Sequence, residues 1–121
     1  MEVPILKQGD FLIATIQAAL TDADLLKLHY ALVEQVGKHR SKGVIIDVTA
    51  LDVMDSFATK TLRSLAHMVR LRGAETVICG IQPEVAFTMV QLGLTLEGIS
   101  TALDLEEGLA LLNQSTGKRE A

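Results

Sequence analysis

Residues 43–72 read GVIIDVTALDVMDSFATKTLRSLAHMVRLR, and the fold follows from how this stretch divides. VIID has almost no polar alternation, which marks a parallel strand covered on both faces. An acidic segment through Asp52 and Asp55 follows, and then a run in which apolar residues recur at helical spacing. That helix is expected from Ser56 to about Arg72, with Gly73 as its stop. A strand feeding a helix through a short loop is half of a parallel crossover unit.

The rest of the chain extends this unit in both directions. Upstream, Val3 to Lys7 and Phe11 to Gln17 are short apolar or alternating runs joined by Gly9 and Asp10, the signal of a β-hairpin. Thr21 or Asp22 then caps a helix with Asp24 in its first turn. Leu25, Leu28, Leu32 and Val36 form its buried stripe, and Lys38, His39 and Arg40 complement the dipole at its C-terminal end. Downstream, a strand is expected at Glu75 to Cys79 and a turn at Gly80, followed by a helix with Pro83 at its first position and its end at Gly93. Thr95 to Ala102 holds at most a short edge strand. A final helix starts at Asp104, where Glu107 completes a capping-box-like pattern, and Ser115 to Ala121 reads as a frayed polar tail. The order β-β-α-β-α-β-α-(β)-α gives a single α/β domain.

Composition narrows the function. The 121 residues suit one domain, and a hydrophobic share of 49% with only 3% aromatic implies a core of Leu, Ile, Val and Ala. The net charge of −4 argues against nucleic acid as the main partner, and the absence of Trp argues against a base-stacking platform. Cys79 is the only cysteine, so no intramolecular disulfide or thiolate metal cage can form. Its place in TVICGI suits a buried, inert thiol. No apolar stretch approaches the ~20 residues of a membrane span and no signal-peptide pattern opens the chain, so a cytoplasmic protein is expected.

Enzyme motifs are missing. The chain contains no G-x-G-x-x-G, no phosphate-binding loop ending in Lys, no G-x-S-x-G and no H-E-x-x-H. His29 and His39 stand ten residues apart on one predicted helix and His67 on another, without a shared pattern of carboxylates, and all three read as surface histidines. Asp47 follows the apolar strand where a receiver domain carries its phosphoacceptor. That site needs Mg²⁺ and several oxygen ligands, and no acidic pair accompanies it. The competing reading is that Asp47 hydrogen-bonds the following loop.

On a wheel of the helix from Ser56, Phe57, Ala58, Leu62, Leu65, Met68 and Val69 share one side. Lys60, Arg63, His67 and Arg70 share the other, and Ser56 heads that basic sector. Two readings of Ser56 stand. As an N-cap it contributes ~1 kcal/mol; as a phosphoacceptor it gains about −1.5 to −2 charge. An exposed phosphate changes the fold by only ~0.3 to 1 kcal/mol through the dipole and a nearby Lys. At an interface, misplaced charge costs several kcal/mol. Phosphorylation at Ser56 is therefore expected to switch binding and spare the fold.

The MDSF sequence after an apolar strand and an acidic loop, followed by a helix, a strand and GIQPEVAFTMVQLGL, resembles STAS domains, the anti-sigma-factor antagonist family. Within that family it is similar to the small RsbS-like subunits of the bacterial stressosome. The resemblance runs from VPILK through TALDLEEGL. It implies a STAS fold over residues 1–115, with a mixed four- to five-stranded sheet flanked by about four helices, and a polar tail at 116–121. It also implies no catalysis, no cofactor and no metal, with regulation by partner switching.

By the same resemblance, an RsbT-type serine kinase is captured by the unphosphorylated protein and released once it has phosphorylated Ser56. An RsbX-type phosphatase resets the site, and RsbR-type STAS proteins join a large cytoplasmic assembly. Asp55, Ser56, Phe57, Lys60 and Arg63 form the expected partner-binding surface. Related scaffold subunits suggest Thr88 as a second acceptor. Simpler antagonists follow the acceptor with Ser and Gly where this chain has Phe57 and Ala58, which favours the stressosome subtype. The alternative is a nucleotide- or small-ligand-binding STAS-type sensor.

Overall fold

The computed structural model describes residues 3–117. Its centre is a five-stranded sheet in which strand order follows chain order. Ile5–Gln8 (β1) and Phe11–Thr15 (β2) form the expected antiparallel hairpin, with Gly9 at φ +58° in the turn. Gly43–Asp47 (β3) lies parallel to β2 with Ile13 opposite Ile45, and Glu75–Cys79 (β4) lies parallel to β3 with Ile45 opposite Val77. Ser100–Ala102 (β5) closes the sheet as a three-residue parallel edge. Asp22–His39 (α1), Ser56–Leu71 (α2) and Pro83–Gln91 (α3) are the crossovers, and Leu105–Gly117 (α4) follows β5.

Period-2 alternation divides the strand residues between two layers. Leu12, Ala14, Val44, Ile46 and Ile78 pack against Leu28, Leu32, Val36, Leu62, Leu65, Val69, Val85 and Met89 of the three crossover helices. Phe11, Ile13, Ile45, Val77 and Cys79 face the opposite way and meet Leu112 of α4. α4 lies so close that a Cβ at Gly43 would sit 2.8 Å from the Leu112 methyls. Burial raises the Cys79 thiol to about 11, so it is the inert core thiol expected from its setting.

Thr21, not Asp22, caps α1. Its hydroxyl accepts from the Asp24 N–H at 3.1 Å, and the Asp24 carboxylate accepts from the Thr21 N–H at 3.2 Å, completing a capping box. The last helix runs to Gly117, past the expected end, because Thr116 is buried and donates its hydroxyl to the Leu112 carbonyl at 2.6 Å. Residues 115–117 are thus helical, and the remainder of the expected tail lies outside the described residues. The region from Thr95 to Ala102 contributes only β5, after a turn at Gly98 with φ +77°.

His29 is the clearest correction within the helices. It was expected at the surface, yet it is buried on α1, edge-on to Tyr30 with ring centroids 5.5 Å apart, and neither ring nitrogen has a hydrogen-bond partner. Burial alone lowers its pKa below 6.5. The neutral ring is the form that fits the fold, so the unfolded chain takes up a proton that the native chain resists. Stability is therefore full above pH 6.5 and declines as pH falls below it. We expect His29→Leu to flatten the pH dependence of the melting temperature between pH 8 and about pH 5. An unchanged slope in the variant would remove His29 from this account.

Candidate functional site

The loop after β3 is fixed at several points before the chain reaches Ser56. Asp47 accepts from the Thr49 N–H at 2.9 Å and from the Thr49 hydroxyl at 2.6 Å, so it serves the following loop. The Val48 N–H bonds the Cys79 carbonyl, the Leu51 N–H bonds the Val48 carbonyl, and Leu51 and Met54 are buried. Gln82 reaches across from the β4–α3 connection and donates to the Thr49 carbonyl at 2.7 Å. A loop held this way presents its end residues at a fixed place.

The helix cap is Asp55. Its backbone is extended and its Oδ1 accepts from the Ala58 N–H at 2.8 Å, while its carbonyl accepts from both the Thr59 N–H and the Thr59 hydroxyl at 3.0 Å. Ser56 occupies the first helical position and is exposed. The reading of Ser56 as N-cap is therefore corrected: Asp and Ser are comparable cap formers, and the carboxylate one residue earlier takes the role. Asp55→Ala is expected to cost about 1 kcal/mol, whereas Ser56→Ala stays within about 0.5 kcal/mol of the parent in denaturant unfolding.

Two other expectations for α2 change. Phe57 and Met68 were placed on the buried side, but they are 36% and 38% exposed. The buried arc runs through Ala58, Thr59, Leu62, Leu65, Ala66 and Val69. The basic row is also not a uniform solvated stripe. Arg63 is half-buried and donates to the Thr95 hydroxyl at 3.2 Å, and Arg70 donates to the Gly98 carbonyl. These arginines fasten the connection after α3 to α2. Lys60 and His67 stay exposed, so of the expected binding residues Asp55, Ser56, Phe57 and Lys60 form one exposed cluster on the first turns of α2.

Beside that cluster lies a hollow of about 140 Å³, lined among others by Leu20, Leu25, Leu51, Val53 and Asp55. It admits a side chain, and it is smaller than the roughly 300 Å³ at which small-molecule pockets begin. Val53 is 71% exposed at this edge, a feature the sequence reading missed although an apolar residue between acidic ones was its signal. Thr88 lies apart, on α3. It is exposed, and its hydroxyl donates to the Glu84 carbonyl at 3.0 Å. Among the described residues no helix is long and apolar enough to cross a membrane.

Comparison with known proteins places the fold. A family model described as STAS domain matches residues 2–108. Moorella thermoacetica RsbS, in a serine-to-glutamate variant, superposes with a TM-score of 0.81 at 35% identity, covering 94% of this chain and 97% of that one. A chain from a structure described as the molecular architecture of the stressosome, a signal integration and transduction hub, gives 0.76 at 36% identity, covering 93% and 98%. Among curated proteins, the RsbT co-antagonist protein RsbRA of Bacillus subtilis (strain 168) is 35% identical over 88 residues, which are 73% of this chain and 32% of that protein. The chain thus spans about a third of the length of that curated relative.

Proposed function

The chain belongs to the STAS domain family, and we propose that it is a non-enzymatic, cytoplasmic subunit of a stressosome-type assembly that holds an RsbT-type serine kinase until Ser56 is phosphorylated. The observation that carries this reading is the division of labour at the start of α2. Asp55 caps the helix, so the Ser56 hydroxyl is exposed at a fixed position without a structural duty.

In the proposed step, Ser56 Oγ attacks the γ-phosphorus of ATP bound to the kinase. The Oγ–P bond forms, the bond from phosphorus to the β–γ bridging oxygen breaks, ADP leaves, and the hydroxyl proton passes to a base of the kinase. The product is a phosphoserine between Asp55 and the exposed ring of Phe57. Its charge of about −1.5 to −2 adds to the carboxylates of Asp52 and Asp55, which turns a surface that accommodated the kinase into one that repels it. An RsbX-type phosphatase would hydrolyse the ester and restore the hydroxyl. Co-assembly with RsbR-type STAS proteins is supported by the likeness to RsbRA and to the stressosome chain. Thr88 is the second acceptor we propose.

Incubation with an RsbT-type kinase and ATP, followed by peptide mass analysis, tests the reading. Phosphate is expected on Ser56 and is lost from that peptide in Ser56→Ala. A protein left unmodified at Ser56 would end this proposal.

A further inference from the structure

At the end of α2 opposite Ser56, a hollow of about 380 Å³ opens between the C-terminal ends of α1 and α2. Its size falls within the range of small-molecule sites. Arg40, Lys42 and Arg72 line it together with Gly37, Ser41 and Gly73, and no lining residue is acidic or aromatic. Cations at such a place ordinarily serve the last carbonyls of a helix and its dipole. Here backbone amides meet several of those carbonyls. The Val36 carbonyl accepts from the Arg40 and Ser41 N–H groups, the Val69 carbonyl from those of Arg72 and Ala74, and the Arg70 carbonyl from those of Arg72 and Gly73. Among the described residues, the guanidinium groups of Arg40 and Arg72 have no hydrogen-bond acceptor and no ion-pair partner.

Two departures from local preference hold those groups at the hollow. Arg40 is the only described residue other than glycine with a positive φ, at +50°, and glycine is the usual occupant of a left-handed helix end. Gly37 stands inside α1, where alanine would suit the helix better. A Cβ there would overlap the Arg72 guanidinium, which lies against the bare helix backbone. Ser41 adds an independent sign of a ligand. It is only 5% exposed, it lines the hollow, and its hydroxyl has no partner among the described residues. A buried hydroxyl left unmatched is costly, and a bound oxyanion would match it.

We infer that this hollow binds a small anion through linked phosphate groups, as in a diphosphate. Guanidinium forks match phosphate oxygens two at a time. Lys42, in a loose ion pair with Asp10 at 3.9 Å, brings a further positive charge, and Ser41 brings a hydroxyl donor. Charge selects the ligand class. A single carboxylate would leave most of this positive charge unmatched, whereas linked phosphates meet it. The absence of an aromatic lining selects further: with no ring for a base to stack on, the site reads the phosphates and not a nucleobase. It depends on neither the kinase nor the phosphoserine.

Calorimetric titration of the whole chain with pyrophosphate at low salt is the test. Saturable binding is expected with a Kd below about 1 mM, weakened by added salt, and ADP binds within about tenfold of pyrophosphate. Arg40→Gly and Arg72→Ala each weaken binding at least about tenfold. Glycine suits the left-handed position, so Arg40→Gly keeps the melting temperature, and its lost affinity is not lost fold. Gly37→Ala favours the helix yet displaces Arg72, and it too weakens binding. Lys27→Ala, the same charge change earlier on α1, leaves binding intact. No saturation by about 10 mM, unchanged affinity in Arg40→Gly, an equal loss in Lys27→Ala, or ADP binding more than about tenfold tighter than pyrophosphate would each overturn the inference.

Discussion

Gly80→Ala is expected to lower the unfolding free energy by about 2 to 4 kcal/mol, as the sum of a left-handed backbone cost and a steric one. Gly80 has φ +80°, a region that L side chains avoid. A Cβ there would overlap the Thr49 hydroxyl and come within 3.1 Å of Thr49 Cα, which is backbone and cannot swing aside. The hydroxyl is already engaged by Asp47 at 2.6 Å, so displacing it releases the turn that opens the loop to Ser56. Urea unfolding measures the loss. Adding Thr49→Ala should restore only part of it, since Thr49 Cα stays in place. A Gly80→Ala chain as stable as the parent would mean that this end of the sheet is far looser than described.

The second large effect is on binding. Ser56→Asp is expected to weaken affinity for an RsbT-type kinase by about a hundredfold, or ~2.7 kcal/mol, with little change in melting temperature. The fold is insensitive because Ser56 is exposed and the capping bond belongs to Asp55. On the proposed reading the interface is sensitive because a carboxylate at position 56 adds like charge to Asp52 and Asp55 that must be desolvated against the partner. If the variant instead bound normally but melted much earlier, Ser56 would be structural after all.

How far these positions could be read from the residues varies with the range of the forces that set them. β3 and β4 were legible because a continuous apolar run between turn signals has few alternatives, and the hairpin was legible from Gly9. The cap was not, because Asp55 and Ser56 are adjacent residues of similar capping strength and only the backbone angles decide between them. The burial of His29 was available in principle, since it stands four residues after Leu25 and three before Leu32, within the buried stripe. Residue type rather than position misled there.

Phe57 and Met68 were misplaced because they were grouped by polarity, whereas at about 100° per residue both lie more than roughly 100° round the helix from the centre of the arc through Leu62, Ala66 and Val69. The engagement of Arg63 with Thr95 and of Arg70 with Gly98 spans 32 and 28 residues, and no local periodicity encodes it. β5 is short enough that its pairing with β4, not its own composition, makes it a strand.

The account turns on whether phosphate at Ser56 controls a partner. Calorimetric titration of an RsbT-type kinase against the unmodified chain and against the chain phosphorylated at Ser56 addresses this directly. Tight binding of the unmodified form is expected and at least a hundredfold weaker binding of the phosphorylated one, a difference of ~2.7 kcal/mol or more, with Ser56→Ala binding as the unmodified form does before and after exposure to ATP. Equal affinity of the two forms would contradict it.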